Sequence, residues 1–330
     1  TDYRFRAHAA FAHLTGWGSA TVPGSVLVID ARKTKVKSTL YLMPTADKNS
    51  DEFFANPMIG EFWVGARPSL SQVAHQLEIE TEDLAKLPKH REKFGKVVTP
   101  KNAKFAEALS TLRFVKDDYE IAQMREAVNV TVRGFGDVAR SLPKATTHAR
   151  GERVVETAFF SRARLEGYDL GYGTIAASGA HACTLHWTNN DGEVKPGDLI
   201  LVDAGVELDS LYTADVTRTI PVNGKFSEQQ KKIYDAVLAA ADAAFAIAKP
   251  GIKFRDLHNA AIEVIAQKVS EFGLLPVSLE ETLKPDNQHH RRYMVHGTSH
   301  HLGMDVHDCA QARREMYQDG ILQPGMVFTI

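Results

Sequence analysis

The stretch LILVDAGVELDSLYTADVTRT, residues 199–219, decides how the rest of the chain is read. It opens on four apolar residues, Leu199, Ile200, Leu201 and Val202, and stops at Asp203. A second run of β character, Val216, Thr217, Arg218, Thr219 and Ile220, follows directly on Asp215. Gly205 and the polar residues at 207–210 lie between, so the pattern predicts neighbouring strands joined by a turn. Each strand then presents a carboxylate at its end among apolar neighbours. Two carboxylates withdrawn from water repel each other and resist ionisation unless a cation stands between them. A metal site is the expectation this raises. Read in isolation, the stretch also fits two aspartates that merely cap a hairpin.

The flanking elements place this stretch in a larger unit. Asp117 and Glu120 form a capping box that opens a helix with Ile121, Met124, Val128, Val132, Phe135 and Val138 on one face. A second helix is predicted over 152–166, ending at Gly167. Ser227 and Gln230 cap a third, which stops at Pro250-Gly251, and Phe254, Leu257, Ala261, Val264, Ile265 and Val269 mark a fourth, closed by Gly273. Long amphipathic helices alternating with paired strand runs predict an α+β domain in which helices cover a curved antiparallel sheet. Ahead of a boundary at 113–116, residues 1–114 read as a smaller mixed α/β domain. Strands are predicted at 25–29 and 39–42, with a third short run at Phe62, Trp63, Val64 and Gly65, and a helical pattern from Ser71 onward. The domains are therefore 1–114 and 115–330.

Composition excludes several function classes. The chain has 330 residues, 44% hydrophobic and 24% charged, with a formal net charge of −2. That balance gives no electrostatic reason to expect nucleic acid or an anionic membrane surface. No apolar run approaches the roughly 20 residues that span a bilayer, and the opening TDYRFRAHAAF has no signal-peptide core. Two cysteines, Cys183 and Cys309, make no disulfide framework. They read as small buried fillers in a cytoplasmic protein.

Histidine is the unusual count: fourteen in all, six of them between His289 and His307. His296, His300 and His307 are interleaved with Val295, Leu302, Met304 and Val306, which argues against a solvated loop, whereas His289 and His290 read as surface residues. Gly297 and Gly303 predict loop and strand rather than helix here, and let the backbone approach a site closely. Imidazole suits first-row transition metals, carboxylates the harder ions such as manganese. Further back, GYGTIAA at 171–177 reads as a strand leading to His186, which has apolar and aromatic neighbours and is either a core histidine or a catalytic one. One internal echo stands out. Pro196-Gly197 leads into a strand and Asp203; Pro324-Gly325 leads into a predicted strand at 326–330, so the counterpart of Asp203 would be the residue after Ile330.

TLHWTNN at 184–190, VDAGVELDSLYTADVTRT at 202–219 and HGTSHHLGMDVHD at 296–308 together resemble the Xaa-Pro aminopeptidases (aminopeptidase P) of the pita-bread metallopeptidases. Residues 1–114 resemble, more loosely, the N-terminal domain that precedes the catalytic domain there. The resemblance implies two divalent ions, manganese by expectation, with Asp203 chelating one, Asp215 bridging both and His300 binding the other. It also implies two glutamates beyond Ile330, so the 115–330 domain reads as clipped before its last strands. His296 and His307 would stabilise charge at the substrate carbonyl, His186 would serve in substrate binding and proton handling, and Tyr172 matches a tyrosine beside the ligands. His301 falls at a variable position and is not expected to be a ligand. The implied reaction releases the N-terminal residue from peptides with proline second, by a homodimer or homotetramer. A prolidase acting on Xaa-Pro dipeptides and a non-catalytic pita-bread binding module are the alternatives.

Overall fold

The computed structural model describes residues 3–330, which fall into two compact units, one comprising the described residues through Phe105 with Asp209–Leu211, the other Ala106–Leu208 with Tyr212–Ile330. In the first unit, helix α1 (Ala9–Thr15) precedes an antiparallel pair, β1 (Val26–Asp30) and β2 (Lys37–Leu42), in which Val28 faces Thr39. Helix α2 (Leu70–Leu77), with a capping box at Ser69 and Gln72, leads into β3 (Glu80–Asp83), which lies parallel to β2. Trp17, Val22, Leu40, Leu42 and Val73 form its core. The short run at 62–65 is not a strand: Glu61–Val64 is a single helical turn, and the Trp63 indole donates to the Phe54 carbonyl. The third strand is instead Glu80-Thr81-Glu82-Asp83, which carries no apolar alternation to reveal it.

The second unit begins with α3 (Asp118–Ala145) and α4 (Gly151–Glu166). Asp117 accepts from the Glu120 N–H and Glu120 returns the bond, as the capping box requires. The buried stripe of α3 is rotated from the expected one: Met124, Ala127, Val130, Thr131, Gly134 and Val138 face inward, while Val128 and Val132 are exposed. Small residues win that face because α4 comes so close. A Cβ on Gly134 would lie 2.7 Å from the Phe159 ring. The helices cover a sheet of three antiparallel strands in the order β5 (Ile175–Ser178), β6 (Leu199–Ala204), β8 (Val216–Pro221), beside a two-stranded ladder of β4 (Asp169–Leu170) and β7 (Val206–Glu207). Gly171–Ala177 is thus strand only in its second part. Helices α5 (Glu228–Ile247) and α6 (Phe254–Glu271) pack on each other through Ala240, Ala244, Phe254, Leu257 and Ala261.

Strand β6 alternates strictly. Ile200, Val202 and Ala204 are buried in the core shared with α3 and α4, while Leu199, Leu201 and Asp203 are only partly buried, on the other face. Asp203 pairs with Thr217 across the β6–β8 ladder, and Asp215 stands two residues before Thr217. Paired residues share a face and so do residues two apart, so register alone sends both carboxylates to the side away from the helices. The segment at 326–330 is not the continuous strand expected from its Pro-Gly turn. It makes two single bridges, Val115 with Met326 and His301 with Phe328.

Candidate metal centre and active site

The two carboxylates meet on one hydroxyl. Tyr172 Oη lies 2.5 Å from Asp203 Oδ1 and 2.8 Å from Asp215 Oδ1. His300 Nε2 lies 2.9 Å from Asp215 Oδ2, with its Nδ1 3.1 Å from the His301 carbonyl oxygen. The loop that brings His300 there is tied down on both sides: Thr213 N donates to Gly303 O and Thr329 N donates to His300 O. Gly205, between β6 and β7, has no room for a side chain; a Cβ there would overlap the Ala214 carbonyl oxygen at 1.7 Å.

Electrostatics separates the two aspartates. Burial pushes Asp203 above the usual carboxylate range, aided by the neighbouring Asp215 charge, although Tyr172 and Thr217 pull the other way. Burial acts on Asp215 as well, but hydrogen bonds from His300 and Tyr172 outweigh it and hold that carboxyl below its ordinary value. Burial opposes charge on His300, yet the bonds to Asp215 and the His301 carbonyl raise its pKa. Desolvation and both carboxylates push the Tyr172 phenol up, so it stays a donor. His300 thus makes its direct contact with Asp215, while it acts on Asp203 only at longer range.

His307 joins this group, its ring centroid 4.5 Å from that of His300, and its pKa is lowered by burial and by the charges of His300 and His186. His186, itself exposed, is thus within electrostatic reach of His307. His296 does not join them. Its ring is exposed with Nδ1 2.7 Å from the Gly297 carbonyl oxygen, and no hydrogen bond or ring contact links it to the cluster among the described residues. His301 turns inward: it is 1% exposed, stacked on Phe254 at 4.4 Å with Phe114 and Tyr317 edge-on, and burial lowers its pKa to about 3.

Two surface and filler expectations need correction. His290 is buried rather than solvated, because its turn folds it inward at Thr282. Cys183 is exposed on a 3₁₀ turn, whereas Cys309 is fully buried, its thiol pushed up to about 12 by burial. Two features were not anticipated from the sequence. Asp308 is buried between Lys116 (3.1 Å) and Arg113 (3.2 Å), directly behind His307. Glu152 occupies the buried stripe of α4 with Val155, Phe159 and Ala163; a lone carboxylate at that spacing is the signal that marks it.

The donor set suits a divalent ion in kind: two carboxylates that meet on one hydroxyl and an imidazole in contact with one of them. Their present contacts are hydrogen bonds to one another, and among the described residues no three His, Cys, Asp or Glu side chains already form a metal cage.

Comparison with known proteins agrees along the whole chain. The family model for metallopeptidase family M24 matches residues 122–330, and that for the aminopeptidase P N-terminal domain matches 1–101. Xaa-Pro aminopeptidase 1 of Streptomyces coelicolor is 46% identical over 349 residues, covering 100% of this chain and 70% of the relative. Proline aminopeptidase P II from Yersinia pestis superposes with a TM-score of 0.80 at 26% identity, covering 99% of this chain and 79% of that one. A variant Escherichia coli aminopeptidase P in complex with substrate gives 0.80 at 25%, covering 99% and 78%.

Proposed function

The chain belongs to metallopeptidase family M24, among the Xaa-Pro aminopeptidases with their pita-bread fold, and on that premise we propose how its residues act. It is a metallo-aminopeptidase that releases the N-terminal residue from peptides with proline in second position. The observation that carries the site assignment is the meeting of Asp203 and Asp215 on the Tyr172 hydroxyl at 2.5 and 2.8 Å, with His300 Nε2 2.9 Å from the other oxygen of Asp215. Asp203, Asp215 and His300 would hold divalent metal ions, manganese in our reading. Such ions supply Lewis acidity towards the scissile carbonyl and lower the pKa of water towards neutrality.

The remaining side chains act around that centre. Tyr172 orients one oxygen of each aspartate. His307 faces the substrate carbonyl and donates to the oxygen as charge builds on it; one such donor contributes roughly 3–4 kcal/mol. His186 binds substrate and passes the proton that the proline nitrogen needs on leaving. His296, exposed on its own loop and apart from the cluster, is assigned the same charge-stabilising role at the substrate carbonyl. Proline has a fixed φ and no N–H, so the site must accept a ring where other peptidases require a donor.

Division of the chain at 114/115, a homo-oligomer and a cytoplasmic location belong to the same proposal. The family matches at 1–101 and 122–330 support the first, and the two free cysteines support the last. No helix among the described residues is long and apolar enough to cross a membrane.

The test is hydrolysis of Xaa-Pro-Pro and Xaa-Pro by the natural protein with added manganese. His300→Ala is expected to lose both activity and bound metal by elemental analysis. Full activity in that variant would contradict the assignment. Cleavage of the dipeptide alone would favour a prolidase.

A further inference from the structure

Glu152 is fully buried, and four donors converge on its carboxylate. Each oxygen takes two bonds. Oε1 accepts from Ser178 N (2.7 Å) and lies 2.9 Å from His181 Nδ1; Oε2 accepts from Trp187 Nε1 (2.9 Å) and Gly192 N (2.7 Å). Its own N–H donates to the Gly192 carbonyl at 3.1 Å. The His181 ring stacks on Trp187 at 3.9 Å. Gly192 is needed for this closeness, since a Cβ there would come within 2.7 Å of His181 and 2.9 Å of the Glu152 carboxyl carbon.

These partners bracket one segment. Ser178 ends β5, Trp187 follows His186 directly, and Gly192 closes the loop. Asn190, buried and at φ +48°, fixes the same loop a second time: its side chain accepts from Ala176 N and donates to Thr174 O, both at 2.9 Å. Strand β5 in turn pairs with β6, where Ile175 faces Asp203. The loop that carries the exposed His186 is therefore tied through Glu152 to β5, the neighbour of the Asp203 strand, although Glu152 contacts neither His186 nor Asp203.

We propose that Glu152 is a positioning residue for His186, fixing where that imidazole stands relative to the Asp203–Asp215–His300 centre. This rests on the role given to His186 above. Glutamine is the informative replacement. It keeps the shape, but its amide nitrogen would face two N–H donors in place of one acceptor oxygen. Displacing a catalytic group by about 1 Å costs roughly 100-fold.

The experiment is a double-mutant cycle on the natural metal-loaded protein with an Xaa-Pro-Pro substrate. Glu152→Gln is expected to lower kcat/KM by about 10- to 100-fold, split between kcat and KM in the proportion that His186→Ala shows. On the His186→Ala background the same change is expected to cost less than about twofold. An equal loss on both backgrounds, or none on the unmutated one, overturns the proposal. Wild-type activity in His186→Ala alone instead overturns the role of His186. Trp187→Phe removes a single donor and serves where Glu152→Gln does not fold; it is expected to give a smaller loss that likewise vanishes on the His186→Ala background.

Discussion

Replacing Asp308 by asparagine should destabilise the second unit far more than removing its partner Lys116. Asp308 is buried with Lys116 at 3.1 Å and Arg113 at 3.2 Å, both cations equally withdrawn from water. Arg113 reaches one further anion, Asp305 at 3.5 Å, which is itself partly exposed. The trio therefore holds two buried positive groups against one buried negative group. Asp308→Asn leaves both cations without that charge, and breaking a buried pair in this sense costs about 3–5 kcal/mol. Lys116→Met leaves Asp308 paired with Arg113 and removes the Lys116 bonds to the Arg113 carbonyl (2.7 Å) and to Asp308 (3.1 Å), a net loss of about 1 kcal/mol because no buried charge is left unpaired. For a unit of this size, 1 kcal/mol moves the melting midpoint by roughly 2–4 °C. Asp308→Asn should then lower it by roughly 6–20 °C and Lys116→Met by about 2–4 °C. Thermal unfolding followed by circular dichroism at fixed metal concentration measures both. A smaller drop for Asp308→Asn than for Lys116→Met would refute the charge argument.

Three further outcomes are expected. Tyr172→Phe removes the donor that Asp203 and Asp215 share, and should weaken metal binding or activity by about 10- to 100-fold in a calorimetric titration and a parallel assay. A thiol reagent should label Cys183 alone in the folded protein, because Cys309 is buried with its thiol pushed up to about 12, and both cysteines in denaturant; rapid labelling of Cys309 in native buffer would show the loop to be open. Burial lowers the His290 pKa below its unfolded value, so the folded state binds fewer protons than the unfolded one. Its contribution is complete above about pH 6.5 and is lost as pH falls below that; His290→Phe should flatten the stability-versus-pH curve over that window.

The carboxylate centre was legible because each aspartate borders an apolar or β-branched run, Asp203 closing one and Asp215 opening the other, which fixes its face before any contact is known. The capping boxes at Asp117 and Ser227 were legible for a similar reason, since both lie in a few consecutive residues. Long-range choices were not. The inward face of α3 follows small residues that admit Phe159, a preference no hydropathy period encodes. Strand β3 has no apolar residue and owes its place to the β2 edge beside it. Glu152 shows its purpose only when Ser178, His181, Trp187 and Gly192 are seen around it.

The alternation along β6 has a consequence for refolding. A slip of one residue in the β6–β8 ladder would turn Val202 or Ala204 outward and carry Asp203 into the hydrocarbon layer beneath α3 and α4. Catalytic competence and interior packing are thus set by one and the same parity. Molecules that regain their interior should regain turnover with it, so a partly refolded sample should behave as a mixture of fully working and silent chains, with unchanged KM and a kcat scaled by the native fraction.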